Sequence, residues 1–170
     1  MLPFLVHDHK ELLTLNMNEQ PMYEDPLPGI KGLKVQPLFL DPASGVWALR
    51  VIFSPGVILP RHYHTGSVHF WTLSGMWHYA EYPEQPQTAG CYLYEPGSSI
   101  HQFVCPASNT EDTDTIMMVT GSNINFDQDD NYVGMLDANS IMAMLIHHCM
   151  EKGLEPANYI TPGQADYTAK

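Results

Sequence analysis

The chain has 170 residues, of which 44% are hydrophobic and 15% charged, a balance that excludes a disordered polar chain and fits one globular domain. Seven basic residues against nineteen acidic ones give a formal net charge of −12. That charge argues against nucleic acid or an anionic membrane as a partner, because a basic footprint is missing. Fourteen prolines and twelve glycines predict many turns, as a fold built from strands requires.

The cysteines and the first residues bear on location. Cys91, Cys105 and Cys149 are odd in number and show no CxxC spacing, which is typical of reduced thiols. The sequence starts with a short apolar run that lacks a basic segment before it, and no apolar stretch approaches the roughly 20 residues that span a bilayer. We therefore expect a cytoplasmic protein without a signal peptide or a membrane span.

Predicted strands follow an N-terminal arm of residues 1–30. Segments 34–41 and 46–53 flank the turn sequence Asp41–Gly45, and this arrangement predicts an antiparallel hairpin. Ser74-Gly75 predicts a tight turn between two later strands. Glycines, prolines and acidic loops separate the remaining β-rich segments, which are residues 57–64, 69–73, 76–82, 91–95, 100–104, 115–120 and 131–136.

The segment 139–153 changes to a helical period. Its apolar residues recur at spacings of three and four, and Asp137 or Asn139 can cap its start. Gly153 is suited to end the helix in a left-handed conformation. The sequence therefore predicts one helix near the C-terminus.

The order of these elements predicts the fold class. Eight or more short strands followed by one late helix are typical of an all-β, single-domain antiparallel barrel or jelly roll. We expect the barrel to cover residues 31–138. Residues 139–170 are expected to form a helix and a tail that pack on it.

Three histidines are the candidate metal ligands. His62 and His64 are alternate residues of one predicted strand, so their side chains point to the same face. His101 lies in a distant β-rich segment, and a third imidazole from a separate strand can close a three-nitrogen face around one ion. Neutral imidazole binds iron, zinc, copper and nickel. Three protein ligands with open positions are the pattern of a reactive metal site.

Two sequence motifs carry a resemblance to a known family. The spacing of Gly56, His62, His64 and the later Gly75 resembles the first motif of the cupin superfamily. The spacing of Gly90, Pro96 and His101 resembles the second motif. Within that superfamily the chain resembles the 2,4'-dihydroxyacetophenone dioxygenase family, from about Trp47 to about Gly153. The strings that carry this finer resemblance are residues 60–66, 73–82 and 94–101.

The chain departs from the cupin pattern in two places. The glutamate usual in the first motif is absent, and Val68 or His69 falls at its position. The glycine of the second motif is shifted to Gly97, whereas the spacing from Pro96 to His101 is preserved. The missing glutamate favours a three-histidine site, which the resembled dioxygenases also use.

The resemblance implies a function. It implies a mononuclear non-haem iron dioxygenase that cleaves the C–C bond of an aryl α-hydroxyketone with O₂, giving an aromatic carboxylate and formate. Fe(II) is the implied cofactor, and Zn, Ni, Cu or Mn are alternatives. The partners expected are a small aromatic substrate, O₂ and further copies of the chain in a homodimer or homotetramer. Alternative functions are other cupin chemistry, such as diketone cleavage or isomerisation, and a non-enzymatic zinc-binding sensor domain.

Three further residues are candidate catalytic groups. If His69 takes the place of the missing glutamate, it faces the cavity as a fourth ligand, an acid–base group or a donor to substrate. The alternative is a hydrogen-bonded core histidine. Glu81 and Glu95 lie beside the motifs, where a carboxylate can orient a ligand imidazole, and an exposed position on a strand is the alternative for each.

Four residues are candidate substrate contacts. Trp71, Tyr79 and Phe103 are predicted to line the barrel interior or its mouth, because an apolar aromatic lining suits an aryl substrate. Ordinary core packing is the alternative for each. Arg50 is predicted to hold a substrate carbonyl or phenolate, or else to form a salt bridge in the barrel wall.

Overall fold

The structure is a computed structural model that describes residues 13–162, so the outer parts of the predicted arm and tail lie outside the described residues. It contains thirteen strands and one helix within that range. In chain order they are β1 (Tyr23–Glu24), β2 (Leu33–Asp41), β3 (Val46–Phe53), β4 (Arg61–His64), β5 (Val68–Ser74), β6 (Met76–Tyr79), β7 (Gln87–Thr88), β8 (Tyr92–Glu95), β9 (Ile100–His101), β10 (Phe103–Val104), β11 (Thr113–Thr120), β12 (Asn123–Phe126), β13 (Tyr132–Leu136) and α1 (Ala138–Lys152).

The strands form three sheets that enclose one interior. The largest has the order β1-β2-β3-β11-β5-β8, and a second has the order β13-β12-β4-β9. The third sheet is β10-β6-β7. All pairings between these strands are antiparallel, and side chains from all three sheets line one small cavity. The predicted all-β fold with a late helix is therefore confirmed.

The first predicted hairpin is confirmed. β2 and β3 pair antiparallel with Asp41 opposite Val46. The turn between them is held by Asp41 Oδ1, which accepts hydrogen bonds from the backbone N–H groups of Ala43 at 3.0 Å and Ser44 at 3.2 Å. Gly45 completes the turn with a φ of 72°, a conformation that costs glycine little.

The predicted tight turn at Ser74-Gly75 is confirmed, but it is not a hairpin. The two strands do not pair, since β5 pairs with β11 and β8 whereas β6 pairs with β10 and β7. Gly75 instead carries the chain from the largest sheet into the smallest, with a φ of 74°. A Cβ atom at this position would lie 2.7 Å from the Thr113 Cα, so the close approach also requires glycine.

The predicted helix is confirmed. Asp137 caps it by accepting a hydrogen bond from the Ser140 backbone N–H, and the Ser140 hydroxyl lies 2.7 Å from the Asp137 N–H and accepts in return. Gly153 ends it in the left-handed conformation. Ile141 and Leu145 are buried where the helix packs against β2 and β13. No helix in residues 13–162 combines the length and the apolar character needed to cross a membrane.

Candidate metal centre

The register between β4 and β9 brings the three predicted histidines together. Alternation along β4 turns His62 and His64 inward, and both are buried. β9 pairs antiparallel with β4 so that His101 lies directly opposite His62. The ring centroids of the three imidazoles are 4.7, 4.8 and 4.9 Å apart, and one nitrogen from each ring lies within 4.8 Å of the others.

A backbone contact orients His62. Its Nδ1 lies 2.8 Å from the Pro60 carbonyl oxygen, which can only accept, so Nδ1 carries the proton and Nε2 keeps a free lone pair. Burial, together with the neighbouring His64, lowers the pKa of His62 to about 3. The ring is therefore neutral at neutral pH, which is the form that binds a metal.

Glu95 contacts the other two imidazoles. Its Oε2 lies 3.0 Å from His64 Nε2 and 3.1 Å from His101 Nε2, and these two nitrogens are 3.1 Å apart. Burial raises the pKa of Glu95, but the adjacent His101 and His64 rings outweigh it and hold that pKa well below its ordinary range. The predicted position of Glu95 beside the ligand set is the one observed.

The donor set fits a single metal ion. Two donors bonded at about 2.1 Å to one ion lie about 3.0 Å apart when they subtend a right angle. The spacings among His64 Nε2, His101 Nε2 and Glu95 Oε2 are 3.0, 3.1 and 3.1 Å and match that value, and a ring nitrogen of His62 lies within 4.8 Å of those of the other two histidines. Glu95 Oε2 is buried close to the two imidazole nitrogens and has no aligned hydrogen-bond partner among the described residues. Such an atom is costly unless something else satisfies it. His62, His64 and His101 are the residues that would hold the ion, with Glu95 within reach of it.

Tyr79 supports this arrangement from β6. Its ring stacks on His101 with the centroids 4.0 Å apart, and its hydroxyl donates a hydrogen bond to Glu95 Oε1. Burial and the Glu95 charge raise the pKa of Tyr79 well above its ordinary value, so the phenol stays protonated. Phe103 is also buried, and both aromatic residues line the cavity beside the histidines, which measures about 40 Å³.

The prediction that His69 faces the cavity is wrong. Along β5 the buried residues are Val68, Phe70 and Thr72, so strand alternation turns His69 to the outer face. Val68 is 1% exposed and lines the cavity in its place. His69 Nδ1 lies 2.7 Å from the Tyr92 hydroxyl on the neighbouring strand.

Three other candidates also lie away from the cavity, each for a local reason. Glu81 follows the end of β6 and is exposed, and its Oε2 accepts a hydrogen bond from the Gln102 backbone N–H at 3.0 Å. Trp71 shares the outer face of β5 and is 38% exposed. Arg50 forms a salt bridge with Asp114 at 2.6 Å, which is the second of its two predicted roles.

Sequence reasoning missed Asn123. It begins β12, a strand that was not predicted, and it pairs with His64 so that both side chains share a face. Its Oδ1 is buried without a hydrogen-bond partner among the described residues. The alternation of Asn123 to Phe126 was the available signal, but four residues with two asparagines have a weak strand propensity.

An antiparallel barrel-like arrangement of sheets with three imidazoles on its inner wall is typical of the cupin class of proteins. The sequence matches the ChrR cupin-like domain family over residues 17–123, and the chain belongs to that family. The finer resemblance to the 2,4'-dihydroxyacetophenone dioxygenases is not confirmed by the comparisons and stays a prediction.

Solved structures share the fold over nearly the whole chain. A protein of unknown function with a cupin-like fold from Ralstonia eutropha is 43% identical, with a TM-score of 0.86 over 96% of this chain and 100% of that one. An RmlC-like cupin from the same organism is 26% identical, with a TM-score of 0.78 over 87% and 93%. An acetylacetone dioxygenase from Acinetobacter johnsonii is 15% identical, with a TM-score of 0.69 over 87% and 99%, which is a likeness of fold. A search of curated proteins returned no match.

Proposed function

We propose that the protein is a mononuclear non-haem iron dioxygenase that cleaves a C–C bond next to a carbonyl group. The observation that carries this proposal is the set of three buried imidazoles around one point, of which His62 is neutral and oriented. Bound Fe(II) would supply the Lewis-acid and redox chemistry for O₂ and a chelating substrate. The fold alone is shared with an acetylacetone dioxygenase, which indicates that a barrel of this shape can house such a reaction.

We assign proton transfer to Glu95 and the positioning of its carboxylate to Tyr79. When the Nε2 lone pairs of His64 and His101 face an ion, those nitrogens no longer serve as donors to Glu95. Its ionised Oε2 then accepts the proton of a substrate hydroxyl at the same place. Tyr79 holds the other oxygen through its hydroxyl, which fixes the carboxylate in position. Phe103 and Val68 exclude water from this side of the cavity.

The substrate implied by the resemblance is an aryl α-hydroxyketone, which would yield an aromatic carboxylate and formate. The cavity at the histidines, of about 40 Å³, is well below the roughly 150 Å³ that accepts benzene in an engineered core. An aryl ring would therefore lie in the adjoining groove of about 360 Å³, where His62 and Asn123 form part of the wall. The cytoplasmic location and the homodimer or homotetramer stay predictions.

Oxygen uptake tests the proposal. Protein reconstituted anaerobically with Fe(II) is mixed with 2,4'-dihydroxyacetophenone or acetylacetone, and O₂ consumption and products are then followed. We expect one O₂ consumed per substrate and two carbonyl-containing products. Formate from the hydroxyketone supports the finer assignment, whereas cleavage of acetylacetone alone supports diketone chemistry.

A second candidate function follows from the family match. Membership of the ChrR cupin-like domain family favours a non-catalytic zinc-binding sensor domain as the alternative. Tight zinc binding without O₂ consumption from any hydroxyketone or diketone would select this candidate and reject the dioxygenase.

A further inference from the structure

An apolar chamber lies between the barrel interior and α1. It encloses about 70 Å³ and is separate from the 40 Å³ cavity at the histidines. The sheet supplies Leu33, Leu49 and Phe53 to its wall, and the helix supplies Ile141, Met144 and Leu145. The helix thus closes one end of the barrel over a space that its own side chains do not fill.

The chamber and the metal cavity share a wall. Leu59, Met117 and Asn123 line both spaces, so the two spaces adjoin at these three side chains. Leu59 and Asn123 also line the outer groove, which reaches His62. A molecule that enters through the groove therefore meets the histidines on one side and the chamber on the other.

Asn123 stands at this junction with an unsatisfied polar atom. Its Oδ1 is buried and has no hydrogen-bond partner among the described residues. Its neighbours in the chamber wall are apolar side chains, apart from the Trp47 indole N–H, which bonds to the Gly121 carbonyl oxygen at 3.0 Å. A buried amide oxygen that lacks a partner is destabilising, and a ligand hydroxyl at the junction would satisfy it.

The space that the chamber side chains leave unfilled is a second feature that favours a ligand. An apolar void destabilises a core, because the side chains around it lose dispersion contacts on one side. A short apolar group restores those contacts without any polar requirement. The void, the unpaired amide oxygen and the metal cavity adjoin one another. One ligand can therefore fill the void, donate a hydrogen bond to the amide oxygen and reach the metal cavity.

We propose that the chamber is a substrate subsite that takes the short alkyl arm of a hydroxyketone. Asn123 Oδ1 accepts a hydrogen bond from the hydroxyl of the bound molecule before that proton passes to Glu95, and the carbonyl oxygen reaches the histidines. This inference rests on the proposed function for the metal-bound head. The chamber has about half the volume that accepts benzene, so it selects a chain of about three carbons over a ring. The chamber therefore favours a small aliphatic hydroxyketone over the aryl hydroxyketone that the sequence resemblance implies.

The test is a homologous series of probes. The protein is loaded with Co(II), which does not turn over, and titrated anaerobically with 1-hydroxy-2-alkanones whose alkyl arm grows from methyl to pentyl. 2-Hydroxyacetophenone is the aryl comparison. The Kd is read from the visible absorption of the cobalt. We expect Kd to fall about fourfold per added methylene up to propyl, as full burial of each group requires, and then to level off or rise.

Two variants on one helix locate the subsite. Ile141→Phe fills the chamber, because Ile141 lines the chamber and not the outer groove, and it is expected to shift the preferred arm to a shorter chain by at least one carbon. Met142→Phe is the matched control, because Met142 faces a different groove of α1 and leaves the chamber unchanged. Asn123→Leu is expected to weaken every member of the series by a similar factor, at least tenfold, without changing the dependence on chain length.

The outcomes separate this inference from the dioxygenase proposal. A Kd that does not depend on arm length overturns the chamber, as does an equal response of the Ile141 and Met142 variants or no binding of any probe. Tighter binding of 2-hydroxyacetophenone than of the propyl compound also overturns it. Chain-length dependence without O₂ uptake in the Fe(II) protein would keep the subsite and reject the dioxygenase.

Discussion

The two faces of the β5–β8 ladder carry similar residues in very different surroundings. On the inner face Glu95 lies opposite Val68 and contacts two buried imidazoles. On the outer face His69 lies opposite Tyr94, and its ring is 5.5 Å from that tyrosine ring and 6.0 Å from the Tyr92 ring. Both clusters combine histidine and tyrosine, and each contains a short contact to a tyrosine hydroxyl.

The difference between the clusters lies in burial and in what satisfies each polar atom. The inner atoms are removed from water and depend on one another, and two of them, His64 Nδ1 and Glu95 Oε2, lack aligned partners. The outer rings of Trp71, Tyr92 and Tyr94 are more than a third exposed, so water completes their hydrogen bonds. Residue type alone therefore does not identify the site, because strand alternation decides which histidine can hold a metal.

Removal of one inner imidazole should give the largest loss of bound metal and of activity. His101→Ala leaves two histidine ligands, and we expect bound iron or zinc to fall by at least tenfold, with any oxygenase activity lost. Metal analysis after dialysis measures the change. His69→Ala is the matched variant from the outer face and should keep full metal content. Equal metal loss in the two variants would remove the distinction between the faces.

Glu95→Gln should separate metal binding from turnover. The amide keeps the shape of the side chain but removes its charge and its ability to accept a proton at Oε2. We expect at least half of the metal to remain and turnover of the cleaved ketone to fall by about a hundredfold, within the usual range for a general base. Metal loss as large as that of His101→Ala would instead identify Glu95 as a ligand.

Acid should destabilise the metal-free protein through the inner cluster. The unfolded chain takes up a proton at His62 near its ordinary pKa of 6.5, whereas the folded chain does so only at about pH 3. Stability is therefore complete above pH 6.5 and falls through this window. Glu95 adds to the loss below about pH 4.5, because its folded pKa is depressed.

Urea unfolding of the metal-free protein at several pH values checks this effect. We expect the free energy of unfolding to fall by a few kcal/mol between pH 7 and pH 4, since one pKa unit corresponds to about 1.4 kcal/mol. His62→Asn should flatten the profile. A profile that is the same in the variant and the parent would show that His62 does not cause the loss.

Much of the fold was predictable from local signals. The turn from Asp41 to Gly45, the capped helix ending at Gly153 and the spacing of His62 and His64 all follow from short stretches of sequence. These features depend on backbone conformation and on alternation within one strand. Local chemistry is enough to specify them.

The remaining features depend on pairings between distant strands. The side of β5 that faces inward was not predictable from His64, because Thr65 to Ser67 interrupt the strand before Val68. Asn123 belongs to the site because β12 pairs with β4, and no local sequence pattern predicts that pairing. These features depend on the register between strands that are distant in sequence, and this register cannot be predicted from any one segment.

Loss of the Tyr79 hydroxyl should give a moderate effect. Tyr79→Phe keeps the ring stacked on His101 but leaves Glu95 Oε1 without its donor. We expect a loss of about 1–3 kcal/mol in stability, the usual result when a buried polar group loses its partner, with the metal retained. Thermal unfolding and metal analysis measure the two quantities. Unchanged stability would show that water replaces the tyrosine hydroxyl at Glu95.

The smallest effect is expected on the outer face. Trp71→Ala removes a ring that is 38% exposed and packs at a tilt against Tyr92, with the ring centroids 5.3 Å apart. Phe103→Ala, its inner counterpart, removes a buried ring beside the histidines and should cost about 3–5 kcal/mol. We expect Trp71→Ala to cost roughly 1 kcal/mol, because its burial is partial and an exposed aromatic pair contributes little beyond its area. Urea unfolding of both variants measures these losses. If Trp71→Ala and Phe103→Ala lower the free energy of unfolding by the same amount, the outer cluster is covered in solution.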